Sequence, residues 1–520
     1  MTRLTKTTSL ALFAGAIAAP ASAQMWESAI GGPIVVDDVL DDTIWVQQSA
    51  AGIASGVLST GWVRGDATTG ADDIYVVFQD EFGAPIWDTL LFTNGSEQGN
   101  EIVDTFDGYA LVSEADSPPG VAPLGIVVTK LAPFGAQLWS VRLTGTPFIG
   151  DTQGGADIYR VSTGELAVSG RAAMPLVPVF QAPVASLLSP AGAVLWSNFY
   201  LDPLIGTESY GSFADIHEFA SSDGTTHYIV TGYMSDDFTG SPDSRDTLVA
   251  RLDAAGSVVW SNLYRMPYGE EGLGVEITEN REIVITGYEH LDGESAFMMR
   301  LDPAGGLIWY NRYFGYEAVD GSVREVGGSR LATVGVASDA VGLTEARLLQ
   351  TGPGGAPFSN FAYGGDRDEA GDAIDLSDDG FVIGAHTDSF AFGLEDFYTL
   401  STDIAGKTGC EQERQIGFEP VQPEIINLNL RAQQSPENFT WQWAQFNPEH
   451  PVEIVCDPNP CPSCAWDFAP PLGVGDFSDV VAFLGLFGAM DPCADLAPPF
   501  GSFDFSDVVA FLGSFAVGCP

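Results

Sequence analysis

The most regular chemistry-bearing residues of this 520-residue chain are carboxylates near its end, and they come as two nearly identical sets. One copy runs Asp467-Phe-Ala-Pro-Pro-Leu-Gly-Val-Gly-Asp476-Phe-Ser-Asp479-Val-Val-Ala-Phe-Leu. The other runs Asp495-Leu-Ala-Pro-Pro-Phe-Gly-Ser-Phe-Asp504-Phe-Ser-Asp507-Val-Val-Ala-Phe-Leu, 28 positions further on. Each reads as an acidic, glycine-bearing loop that enters a short amphipathic helix. Phe477, Val480 and Phe483, and likewise Phe505, Val508 and Phe511, fall at helical spacing and are expected to pack the two helices together. Carboxylate oxygens are the ligands calcium takes. The same residues also suit a structural role, with Asp476 and Asp504 capping helix N-termini and Asp479 and Asp507 facing the dipole.

Elsewhere the chain offers little recognisable chemistry. The five histidines, His217, His227, His290, His386 and His450, show no metal spacing, and His217 and His227 are expected in an irregular loop region. No Gly-x-Ser-x-Gly elbow, phosphate loop or dinucleotide fingerprint occurs. With 70 acidic residues, chance carboxylate pairs abound; Glu270-Glu271 and Asp236-Asp237 are expected on loop surfaces. The net charge of −50 argues against nucleic acid and anionic membranes as partners, since both need a basic face.

The elements that carry these residues repeat. A glycine turn followed by an aromatic on a strand ends at Trp87, Trp139, Trp196, Trp260 and Trp309, with degenerate copies ending at Phe358 and Cys410. Before each turn come β-branched runs bounded by Gly, Asp and Pro, such as Ile283-Val-Ile-Thr-Gly287 and Ala296-Phe-Met-Met-Arg-Leu-Asp302. Seven units of about 50 residues and four strands each predict an all-β, seven-bladed propeller. The Trp is expected to pack between neighbouring blades. Ring closure is expected to draw on residues 30 to 50, including Ile34-Val-Val36 and Ile44-Trp45, to complete the last blade.

The first residues pair a basic start with the apolar run Leu10–Ala19 and an Ala21-x-Ala23 site, which predicts a secretory leader over 1–23. No later stretch is apolar enough to span a bilayer. Export permits disulfides, and all six cysteines, Cys410, Cys456, Cys461, Cys464, Cys493 and Cys519, lie in the last quarter. Disulfides are favoured over zinc because no histidine cluster accompanies Cys461-x-x-Cys464. A Cys410–Cys456 bridge is the preferred pairing. The organisation is then leader 1–23, propeller 24–410, closing segment or linker 411–456, and a small C-terminal module 457–520.

The blade units resemble the Trp-containing propeller repeats of many exported bacterial proteins. The duplicated loop–helix pair resembles a dockerin, an EF-hand-like helical module that plugs into a cohesin. That likeness implies calcium at Asp467, Asp476, Asp479, Asp495, Asp504 and Asp507, and a cohesin-like or cell-surface partner. Ala and Pro stand where such loops carry further oxygen ligands, so the implied affinity is weaker. The expected function is a secreted, non-catalytic binding or scaffold propeller assembled through this module. The alternative is a carbohydrate-active hydrolase or lyase delivered the same way. The propeller's ligand is not legible in the sequence.

Overall fold

The computed structural model describes residues 25–456 except 31–37, 48–54, 65–71, 93–94, 116–124, 144–156, 174–180, 202–209, 236–240, 291–294, 317–321, 339–341, 391–394, 429, 435–437, 441–443 and 447–451. Beyond 456 it describes 480–484, 487 and 508–512. Runs such as Gly125–Leu131 are buried at every position. A strand apolar on both faces must be covered on both, and stacking blades face to face does this. One buried cluster accordingly joins Phe78 of one unit to Tyr109 and Leu111 of the next.

Seven antiparallel sheets result. Their inner strands are Asp38–Val46, Glu97–Thr105, Ile158–Arg160, Tyr210–Ala220, Glu270–Ile277, Val323–Val326 and Glu369–Leu376, which define blades 1 to 7 in that order. Each blade has four strands, as the repeat length predicts. Blade 7 takes three from the end of the array, and its fourth is the N-terminal Trp26–Ile30, paired antiparallel with Asp396–Asp403. An N-terminal segment therefore completes the last blade as expected, but it lies just upstream, meeting the expected span of 30 to 50 only at Ile30. Ile44 and Trp45 belong to the inner strand of blade 1, and Ile34–Val36 lie outside the described residues.

The tryptophans latch blade to blade. Trp26, Trp87, Trp139, Trp196, Trp260 and Trp309 lie against Gly83, Gly135, Gly192, Gly256, Gly305 and Gly355 of the following blade. A Cβ at Gly135 would meet the Trp87 ring at 2.8 Å, and its φ of +79° is left-handed, so glycine is needed twice over. The Trp26 indole N–H donates to the Glu81 carbonyl at 2.8 Å, and Trp309 does the same to Pro353 at 3.0 Å. One register differs from expectation. The turn at Gly354-Gly355 uses Gly355 at φ +76°, so Ser359 takes the Trp place and Phe358 is 52% exposed. The latch of blade 7 is Trp26, while the chain at Cys410 leaves the ring.

The segment expected as a closing segment or linker forms a series of short strands. Gln412–Glu413, Gly417–Pro420, Glu424–Asn427, Arg431–Gln434, Asn438–Thr440, Ala444–Phe446 and Val452–Cys456 add a fifth, outermost strand to blades 6, 5, 4, 3, 2, 1 and 7 in turn. This belt runs round the propeller against the order of the blades. It covers the open edge of every sheet, the edge on which stray pairing would begin. No described helix is long and apolar enough to cross a membrane.

Candidate functional site at the channel mouth

The inner strands face the central channel, and their pleat is interrupted in a repeating way. The register shifts at Asp41, Asn100, Ala214, Leu273 and Asp372, one bulge in each of five inner strands. A bulge re-aims the side chain after it. Here that residue is Asp42, Glu101 or Asp215 in blades 1, 2 and 4, and Asp157 stands in the matching place before Ile158 in blade 3.

These carboxylates reach sideways. The Ile102 N–H donates to Asp42 Oδ2 (2.9 Å), Ile216 N–H to Asp157 Oδ2 (2.6 Å) and Val275 N–H to Asp215 Oδ2 (2.6 Å), each across a blade boundary. Asp375 closes the circle by accepting the Trp45 N–H at 3.0 Å. The Asp157 carboxyl lies within hydrogen-bonding reach of both Glu101 and Asp215, an arrangement that requires protons between them. Burial pushes Glu101 up to about 8 and Asp42 to about 7, while backbone N–H bonds pull Asp42 back. Burial and neighbouring carboxylates hold Asp157 and Asp215 well above the usual carboxylate range.

One cation answers them. Burial opposes the charge on Arg324, but Asp375, Glu276 and Asp42 keep its pKa above the ordinary guanidinium value, and its Nε donates to Asp375 Oδ1 at 3.0 Å. Burial raises Glu276 to about 7 against the pull of Arg324. His217 goes the other way: burial and the Arg324 charge push it to about 3, so its imidazole is neutral. The ring of His217 lies 4.4 Å from that of Tyr159.

Glu101, His217, Glu276, Arg324 and Asp375 line a cavity of about 250 Å³ together with Trp45 and Tyr159. A second cavity of about 380 Å³ shares Tyr159, His217 and Glu276 and extends to Glu218, Thr278 and Arg281. Arg281 is exposed, with φ +63°. Its N–H closes the turn onto the Thr278 carbonyl (2.7 Å), the place held by Gly164 and Gly224 in blades 3 and 4.

The six aspartates named as calcium ligands, Asp467, Asp476, Asp479, Asp495, Asp504 and Asp507, lie outside the described residues. What is described is a helical turn at 480–484 and another at 508–512. Phe483 and Phe511 stack at 4.1 Å and 2°, both 1% exposed, the helix-to-helix packing expected of them. Val481, Leu484, Val509 and Leu512 are exposed at equivalent places. Among the described residues, no group of three or more His, Cys, Asp or Glu is arranged to hold a metal.

Two expectations are corrected. Glu270 and Glu271 are buried at the start of an inner strand, Glu271 bonding Tyr288 and His290. Blade stacking encloses what a lone loop would expose. His217 and His227 stand on strands rather than in a loop. The channel carboxylates were missed, although Asn100-Glu-Ile102, Ala156-Asp-Ile158 and Ala214-Asp-Ile216 repeat at one place in the unit.

Fold and channel together define the chain as a seven-bladed β-propeller. No family model matches it, and no curated protein does. Among solved structures it is similar to a protein of unknown function from Dyadobacter fermentans DSM 18053, at 12% identity and a TM-score of 0.38, over 72% of this chain and 97% of that one. It is also similar to a glucose dehydrogenase at 11% identity and a TM-score of 0.33, over 58% of this chain and 100% of that one. Sqt1 from Chaetomium thermophilum gives 12% and 0.33, over 72% and 99%. These likenesses are too distant to carry function.

Proposed function

We propose that the chain is an exported, non-catalytic binding and scaffold propeller, displayed or assembled through a calcium-dependent, dockerin-like C-terminal module. Arg281 carries the reading of the body as a binding unit. A non-glycine residue in a left-handed turn costs roughly 1–2 kcal/mol, yet here a long cation stands where blades 3 and 4 have glycine, at the cavity edge. Such cost persists where the side chain serves a purpose. The flat face of Tyr159, the carboxyl of Glu276 and the donors Arg281 and Thr278 suit a small polyhydroxylated ligand of the saccharide class. Asp42, Asp157 and Asp215 already bond backbone N–H groups across blades, which favours binding over turnover.

The hydrolase or lyase alternative has one observation in its favour. Glu276, held at about 7 by burial, has the pKa of a general acid.

Saturation-transfer NMR of the intact protein with neutral and uronic-acid oligosaccharides tests both, with reducing ends assayed in the same samples. Transfer to at least one oligosaccharide is expected, without new reducing ends. Arg281→Gly should weaken that transfer while raising the unfolding midpoint by about 1–2 °C. Unchanged binding in the variant removes Arg281 from the site, and new reducing ends would move the reading to the hydrolase.

The exposed Val481 and Leu484, repeated as Val509 and Leu512, supply two equivalent apolar faces for a cohesin-like or cell-surface partner. Cleavage after Ala23 would leave the closing strand Trp26–Ile30 whole. Both support an extracellular or cell-surface location.

A further inference from the structure

We infer that Cys410 and Cys456 form a disulfide that turns the belt into a covalent ring around all seven blades. Cys410 stands where the chain leaves blade 7, two residues before the first belt strand, and Cys456 ends the last one. The belt starts on blade 6 and finishes on blade 7, so its two ends return to neighbouring places. Glu27 lies between them. The Thr408 hydroxyl donates to Glu27 Oε1, and Glu27 pairs in register with Cys456. Cys410 is not a free thiol.

The ring holds the N-terminal strand as well as the belt. Trp26–Ile30 lies between Asp396–Asp403 on one side and Val452–Cys456 on the other, so it cannot leave until the belt lifts. The belt strands are two to five residues long and individually weak. A covalent closure makes them open together rather than one by one. Forming it removes two electrons and two protons from the two thiols, and an oxidised thiol–disulfide partner takes them up, oxidised glutathione in the test.

Peptide mapping of the unreduced, intact protein should yield a linked pair containing Cys410 and Cys456. Cys410 linked to Cys461, Cys464, Cys493 or Cys519, or alkylated as a thiol, would overturn the inference. Trypsin should cut the belt at Arg414 and Arg431 about tenfold faster or more in a Cys410→Ser, Cys456→Ser double variant than in the oxidised protein. Reoxidising the reduced wild type with glutathione should restore the slow rate. Equal rates in all forms would contradict a load-carrying ring.

Discussion

Arg324→Met is expected to destabilise the propeller by roughly 3 kcal/mol at pH 8 and by much less at pH 5. Its guanidinium bonds Asp375 and stands opposite Glu276 and Asp42. Removing one partner of such a group strands the others, and the lower end of the usual penalty applies because Arg324 and Asp375 are each about a fifth exposed, 22% and 24%. At pH 5 the stranded groups can hold protons, since Asp42 and Glu276 titrate near 7 and Glu101 near 8. The wild type should show the same sign. These carboxyls bind protons more tightly folded than unfolded, where they titrate near 4. Their stabilisation is complete below about pH 4 and is lost as pH rises through about 8. Urea midpoints measured at pH 5 and pH 8 should therefore be higher at pH 5, and Glu101→Gln should flatten the difference. A wild-type midpoint that climbs from pH 5 to pH 8 would refute the protonated channel.

Trp26→Ala should cost about 3–5 kcal/mol, although the residue stands only a few positions beyond the expected leader. It is 2% exposed, covers Gly83 and donates to the Glu81 carbonyl. Among the described residues it is also the only Trp latch whose strand reaches its blade from the far end of the chain. Losing it weakens the joint between blades 7 and 1 at the one blade whose sheet is assembled from both ends of the array. Trp26→Phe keeps much of the burial but drops the indole bond, for a smaller loss of about 1 kcal/mol beyond the change in size. Thermal unfolding measures both. A Trp26→Ala midpoint no lower than that of the surface change Ile86→Ala would mean the ring does not depend on this strand.

The propeller was legible because its units repeat a glycine turn and a Trp whose roles are local. Blade number followed from counting, and the blade-to-blade place of Trp followed from its size. What was hidden depends on distant partners. Trp26 precedes the first recognisable unit, so nothing nearby marks it as the latch of blade 7. The belt strands are only two to five residues long, some of them polar as in Gln412–Glu413 and Arg431–Gln434, and gain their structure from the sheet edges they meet. Asp157 and Asp215 read as ordinary surface acids until stacking turns them toward a neighbour's backbone. Arg281 differs from Gly164 and Gly224 at one turn position, a contrast visible only after the turns are aligned in space.

Calcium titration calorimetry on the intact chain, beside an Asp479→Ala, Asp507→Ala variant, tests the assembly role most directly. Saturable heat in the wild type, with at least one site lost in the variant, is the predicted result. No heat at millimolar calcium, or heat that the variant retains in full, would reduce these aspartates to helix caps and remove the calcium-dependent module from the proposed function.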